Sequence, residues 1–188
     1  MEELKYHIRN EAKEQDIQRY LKDNLSILGE AHSHPKGEYI VLSELTVGDG
    51  KCDFVVLTSR SRMVVTFIEI KGAGFNFLNK RNKFSDDVEL AIDQVESRIA
   101  YVERNYESFR RRIHQIRQSA LDGNCQYNNV VGKNNYLGVD PNKDIVVQGV
   151  VIAGKSVNDQ LESELKWNAE RKTDYVVESW DSWIRKHE

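Results

Sequence analysis

Val47-Gly-Asp-Gly-Lys-Cys-Asp-Phe-Val-Val-Leu57, a polar break at 58–62, and Met63-Val-Val-Thr-Phe-Ile-Glu-Ile-Lys71 decide how this chain folds. Two β-rich runs joined by a short polar break predict an antiparallel hairpin. Three ionisable residues sit at the ends of these apolar runs: Asp53 in the first, Glu69 and Lys71 in the second. The run from Val64 to Ile70 is almost continuously apolar, which predicts a central strand buried on both faces. A solvated Glu is hard to place there, and burying charge is costly unless it pairs or holds a cation. Glu69 and Lys71 are two apart and share a face of a strand. A carboxylate from each of two neighbouring strands, with an ammonium beside them, can hold a hard cation and position a water. That chemistry is metal-assisted hydrolysis of a phosphodiester. Read singly, the same residues fit a solvated Glu-X-Lys strand edge and an Asp closing the Gly48-Asp49-Gly50 turn.

Taken with its surroundings, the pattern resembles the PD-(D/E)xK nucleases, and more narrowly the nuclease domain of Shedu anti-phage defence proteins. The likeness rests on Glu14-Gln-Asp-Ile-Gln-Arg-Tyr-Leu-Lys-Asp-Asn-Leu25, Lys51-Cys-Asp-Phe-Val-Val-Leu57, Ile68-Glu-Ile-Lys-Gly-Ala73, Ala91-Ile-Asp-Gln94 and Val147-Gln-Gly-Val-Val-Ile-Ala-Gly154, in that order. It implies an α/β fold, a restriction-endonuclease-like mixed sheet flanked by helices, formed by residues 1–188 as a single domain. It also implies an endonuclease acting on DNA with Mg²⁺, or Mn²⁺ in its place. Asp53, Glu69 and the carbonyl of Ile70 would hold the metal, and Lys71 would orient the attacking water. Glu14, with Glu11 as the alternative match, is the family's acidic residue on the first helix; it would serve a second metal or a metal-bound water. Gln94 matches a glutamine that faces the site. Many relatives carry a tyrosine four residues after that glutamine; here Arg98 stands there, and Tyr101 follows one turn on. Members often carry an N-terminal region that restrains them, whereas this chain begins close to the first helix. Control would then come from assembly or from the nucleic-acid end that is recognised. Two other readings share the fold: a catalytically inactive module for nucleic-acid binding or oligomer assembly, and a repair or restriction-type nuclease.

The composition allows this. At 188 residues, 39% hydrophobic and 30% charged, the chain can bury a sizeable core beneath a well-charged surface. No apolar run is long enough to cross a membrane, and Met-Glu-Glu-Leu-Lys does not open a signal peptide. Cys52 and Cys125 make no disulfide framework, which points to the reducing cytoplasm. A net charge of −3 gives no overall attraction for nucleic acid, so any such contact must use local cations. Lys80, Arg81 and Lys83, among Phe75 and Phe77 just after the Glu-X-Lys, supply one such set, joined by Arg98. The phenylalanines fit base stacking or the core equally well. His32 and His34 lack companions for a zinc site beside Cys52 and read as surface residues.

Along the chain, Ile17, Leu21, Leu25 and Leu28 stripe a helix over 12–27 that Gly29 would stop. A strand over 38–46 precedes the hairpin. From Asp86 to Ala120, apolar residues recur at Val88, Ile92, Val95, Ile99, Val102, Tyr106, Phe109, Ile113 and Ile116, the spacing of a heptad seam. One helix of that span would be roughly 50 Å long, too long for a domain of this size. Part of the seam is therefore predicted to pack on a partner helix, either the mirror helix of another subunit, which points to a homo-oligomer through Val88–Ile116, or a terminal helix of the same chain. Arg110, Arg111, Arg112, His114 and Arg117 read either as a DNA contact that holds phosphates or as the solvated flank of that seam, paired with acidic residues of a partner. Residues 122–143 form a long Asn- and Gly-rich loop. After it come a buried strand over 144–153, a helix over 157–172, a short strand over 174–178 and a helix from Asp181.

Overall fold

A computed structural model describes residues 1–188. In chain order it contains α1 (Glu2–Arg9), α2 (Glu14–Asp23), α3 (Ser26–His32), β1 (Tyr39–Val47), β2 (Gly50–Thr58), β3 (Val64–Ile70), α4 (Asp86–Arg104) and α5 (Tyr106–Leu121). Then follow β4 (Val130–Val131), β5 (Val146–Ile152), α6 (Asp159–Glu170), β6 (Tyr175–Glu178) and α7 (Trp180–His187). The strands form a six-stranded sheet in the order β4-β1-β2-β3-β5-β6, so β3 is central, as its apolar run predicts. The sheet is mixed: β1 pairs antiparallel with β2 and β4, and β5 pairs parallel with β6. This is an α/β fold with helices flanking a mixed sheet. Its contacts divide into two compact units, the first of residues 1–20, 68–96 and 149–188, the second of 21–67 and 97–148.

The second unit buries one continuous cluster. Ile40, Leu42, Leu45 and Val47 of β1 meet Val55 and Leu57 of β2, Val65 and Phe67 of β3, and Val102, Phe109, Ile113 and Ile116 of α4 and α5. The inward residues change parity along β1, from Ile40 and Leu42 to Leu45 and Val47. Glu44 lies between them with a φ of 55°, a left-handed conformation that turns the strand over. Opposite it, β2 changes from Val55 and Leu57 to Cys52. Asp53 stands at that step.

Three sequence expectations are corrected here. Gly29 does not stop a helix, because it lies inside α3 and is buried. A Cβ there would fall 2.2 Å from the Tyr39 ring, so the glycine lets α3 approach β1. The long helix is two helices. At Asn105, φ −124° and ψ 28° leave helical geometry; its side chain caps the Tyr101 carbonyl at 2.9 Å, and its own carbonyl accepts from Ser108 Oγ. The seam residues are spent within the chain: Val88, Ile92, Val95, Val102, Phe109, Ile113 and Ile116 are all buried, with Ile99 and Tyr106 packed against the same cluster. The length argument for a partner helix therefore falls away.

The basic flank is not simply solvated either. Arg112 Nη1 donates to the Thr46 carbonyl at 2.9 Å and Arg117 Nη1 to the Val139 carbonyl at 3.0 Å. His114 and Arg117 are themselves buried. Arg111 alone of the run is exposed.

In the first unit, Leu4, Ile8, Ile17, Phe77, Val88, Ala91, Val95, Val151, Val177, Trp180 and Trp183 are buried. α6 starts at Asn158, whose side chain accepts from the Leu161 amide, and α7 starts at Ser179, whose hydroxyl accepts from the Ser182 amide. Gly149 on β5 sits where a Cβ would come within 2.1 Å of Val95 on α4, so this glycine sets the closeness of helix and sheet.

Candidate active site at the end of the central strand

β3 ends in Glu69-Ile70, and Lys71 follows it. Burial makes this end unusual: Glu69 is 2% and Lys71 8% exposed. The backbone around Lys71 is fixed from several sides within the first unit. Its amide donates to the Ile152 carbonyl at 2.9 Å, and its carbonyl accepts from Trp180 Nε1 at 2.8 Å. Beyond it, the Gly154 amide donates to the Gly72 carbonyl at 2.9 Å, and the Ala73 amide to the Ala12 carbonyl at 3.0 Å. Gly72 permits this crossing, since a Cβ there would stand 3.2 Å from the Glu14 amide and 3.3 Å from the Ala12 carbonyl. The exit of the central strand is thus pressed against the start of α2.

That crossing brings Glu14 to Lys71. Glu14 Oε2 lies 3.4 Å from Lys71 Nζ, and its Oε1 accepts from Gln18 Nε2 at 3.1 Å. The Glu14 side chain is 36% exposed against 10% for Lys71, so the pair opens to solvent on its acidic side. Glu11, the alternative match, pairs instead with Lys155. Gln94 is half-buried on α4, and its Oε1 is buried with no hydrogen-bond partner within the chain.

Asp53 belongs to the second unit and is half-buried on β2. Arg98 is in the same unit, over the β1–β2 turn: its Nη2 donates to the Lys51 carbonyl at 3.2 Å and lies where a Gly50 Cβ would be. Tyr101 covers Gly48 in the same way. These two side chains brace that turn.

Lys80, Arg81 and Lys83 are exposed on a loop that Asn79 organises by accepting from the Arg81 and Lys83 amides. The phenylalanines of this stretch serve the fold. Phe77 is fully buried and meets Phe84 edge-on at 5.4 Å, and Phe75 lies against Gly154.

The donors named for a metal are carboxylate and carbonyl oxygens, the ligand type that Mg²⁺ takes. No group of three or more His, Cys, Asp and Glu side chains stands close enough to form a metal cage.

Trp180 is the residue that sequence reasoning missed. It is fully buried and holds the Lys71 carbonyl, 109 positions away in the chain. A tryptophan directly after the capping Ser179 gives no hint of such a distant partner.

Residues 11–184 match the family described as Shedu protein SduA, C-terminal, and the chain belongs to that family. No match is found among curated proteins.

Proposed function

We propose that this member of the Shedu SduA C-terminal family is a Mg²⁺-dependent nuclease that hydrolyses DNA phosphodiester bonds. Membership of the family implies a role in anti-phage defence. The observation that carries the proposal is the buried Glu69-Ile-Lys71 at the end of the central strand, with Lys71 locked by Trp180 and Ile152 and faced by Glu14. A lysine nearly removed from solvent, yet placed beside a carboxylate open to water, is positioned for chemistry more than for solubility.

In this reading Glu69, the Ile70 carbonyl, Asp53 and Glu14 supply the oxygens that would hold Mg²⁺. When bound, the cation would lower the pKa of a water and stabilise charge on the phosphate. Lys71 orients that water and places an ammonium against the negative charge that grows on the phosphoryl oxygens. Glu14 aims the ammonium: with one oxygen tied to Gln18, its other is directed at Nζ. Gln94 steadies the site through a water at its buried oxygen, or steadies the phosphate through its amide N–H. Lys80, Arg81 and Lys83 hold backbone phosphates without reading sequence.

A second reading is a non-catalytic member of the fold that binds nucleic acid, through the exposed Lys80, Arg81 and Lys83, or assembles with other copies. Incubating the protein with linear and circular DNA, in Mg²⁺ or in EDTA, separates the two. Cleavage in Mg²⁺ that stops in EDTA supports the nuclease; intact DNA in both, with DNA retained on the protein, supports the second reading.

A further inference from the structure

A cleft of about 540 Å³ opens in the second unit between the β2–β3 turn and the loop before β5, lined by Arg60, Ser61, Arg62, Asn142, Lys143 and Asp144. It lies at the start of β3, whereas Glu69 and Lys71 are at its end. Backbone bonds stitch its two walls together. The Ser61 amide donates to the Gly138 carbonyl at 2.8 Å, and the Asp140 amide to the Ser61 carbonyl at 2.8 Å. Ser59 and Ser61 hold φ values of 85° and 66°, conformations that serine adopts only where its surroundings impose them.

The charges in the cleft do not cancel. Arg60 is forked onto the buried carboxylate of Glu38. Asp144 accepts from the Tyr106 hydroxyl at 3.3 Å. That leaves Arg62, exposed and without a carboxylate, and Lys143, whose ammonium rests only on the Ser61 hydroxyl. Behind the same loop lies buried Arg117, bonded to the Val139 carbonyl and again without a carboxylate. Asp144 keeps its negative charge, but Arg62 and Lys143 outnumber it and buried Arg117 stands behind them, so the pocket is net positive and favours an anion.

We infer that this cleft is a phosphate-binding site, with Arg62 and Lys143 as the groups that hold a phosphate dianion, either the free ion or the phosphate of a nucleoside monophosphate. Arg62 and Lys143 together oppose the charge of a phosphomonoester, close to −2 at neutral pH, with Asp144 subtracting from that attraction. The planar guanidinium of Arg62 can grip two phosphate oxygens at once. Lys143 exchanges the weak Ser61 hydroxyl for a charged oxygen. The site does not depend on the nuclease reading, since none of its residues is assigned to cleavage.

Calorimetric titration of the full chain at low salt tests it, with three probes: inorganic phosphate, AMP, and a short duplex without terminal phosphates. Phosphate and AMP should bind, and Arg62→Ala or Lys143→Ala should each weaken binding about tenfold or more, the effect of losing a charge-assisted hydrogen bond. Lys143→Arg should keep binding, and Lys172→Ala, at an exposed position in the turn after α6, should leave it unchanged. Unaltered circular dichroism of the variants separates loss of the site from loss of the fold. AMP binding tighter than phosphate identifies the nucleotide as the source; equal affinities identify the free ion. No heat with either at about 10 mM, far weaker than a working site, would overturn the inference. So would equal binding by the alanine variants, or a preference for the unphosphorylated duplex.

Discussion

Replacing Gly149 by alanine probes the packing that carries α4 and its Gln94 over β5. The added Cβ would meet Val95 Cγ1 at 2.1 Å, more than an ångström inside ordinary contact, and Tyr175 Cβ at 2.9 Å. Overpacking of this kind costs about 1–3 kcal/mol. Val95→Ala alone removes two buried methyl groups, about 1.6 kcal/mol of transfer free energy. With the cavity it leaves, the total is about 2–3 kcal/mol. The two changes compensate, because the space vacated at position 95 is where the new methyl must go. The double variant should therefore lose less than the sum of the singles by about 1–2 kcal/mol. Urea unfolding followed by circular dichroism measures each free energy, and unchanged m-values keep the comparison valid. Additivity to within about 0.5 kcal/mol would show that Gly149 and Val95 do not compete for one space.

Three further outcomes follow from particular contacts. Trp180→Phe removes the indole N–H from the Lys71 carbonyl and leaves a void, and should cost about 2–4 kcal/mol in urea unfolding; Trp167→Phe, at an exposed position, should stay within about 0.5 kcal/mol of the parent. His114 is buried with both ring nitrogens unpartnered, and burial, then Arg117 and Arg110, hold its pKa below the usual 6.5, with Asp140 opposing. The unfolded chain therefore takes up this proton first, so stability should fall as pH drops below 6.5, with no such penalty above it. His114→Phe should flatten that limb; an unchanged pH profile would show that the imidazole is not the group responsible. Sedimentation over a range of concentrations should detect homo-oligomers if any surface other than the buried heptad seam joins copies, and a strict monomer would end that proposal.

Much of the sheet was legible because β-branched apolar runs are written locally. Val64–Ile70 reads as a central strand and is one, and the buried Glu69 and Lys71 stand out against it. What escaped depends on distant partners or on single backbone torsions. The apolar spacing runs through Val102, Tyr106 and Phe109 without a break, so it cannot report that Asn105 interrupts the helix between them. Gly29 looks like a helix stop until Tyr39 is seen lying on it. The parity change at Glu44 defeats simple alternation, because a left-handed residue turns the strand without adding to its length. Arg117 and His114 sit in a run of charges that reads as solvated, yet the loop containing Val139 covers them. At the candidate site, Glu69 and Lys71 were marked by type and spacing, and Glu14 and Gln94 by the family resemblance; Trp180 was marked by neither.

The most direct test is the single-turnover rate of duplex DNA cleavage in Mg²⁺ by the parent chain, Glu69→Gln and Lys71→Ala, each checked for native unfolding behaviour. The account predicts cleavage by the parent and a loss of about 10²–10³-fold in each variant, the scale expected when one group that stabilises transition-state charge is removed. Cleavage at the parental rate by both variants would contradict it.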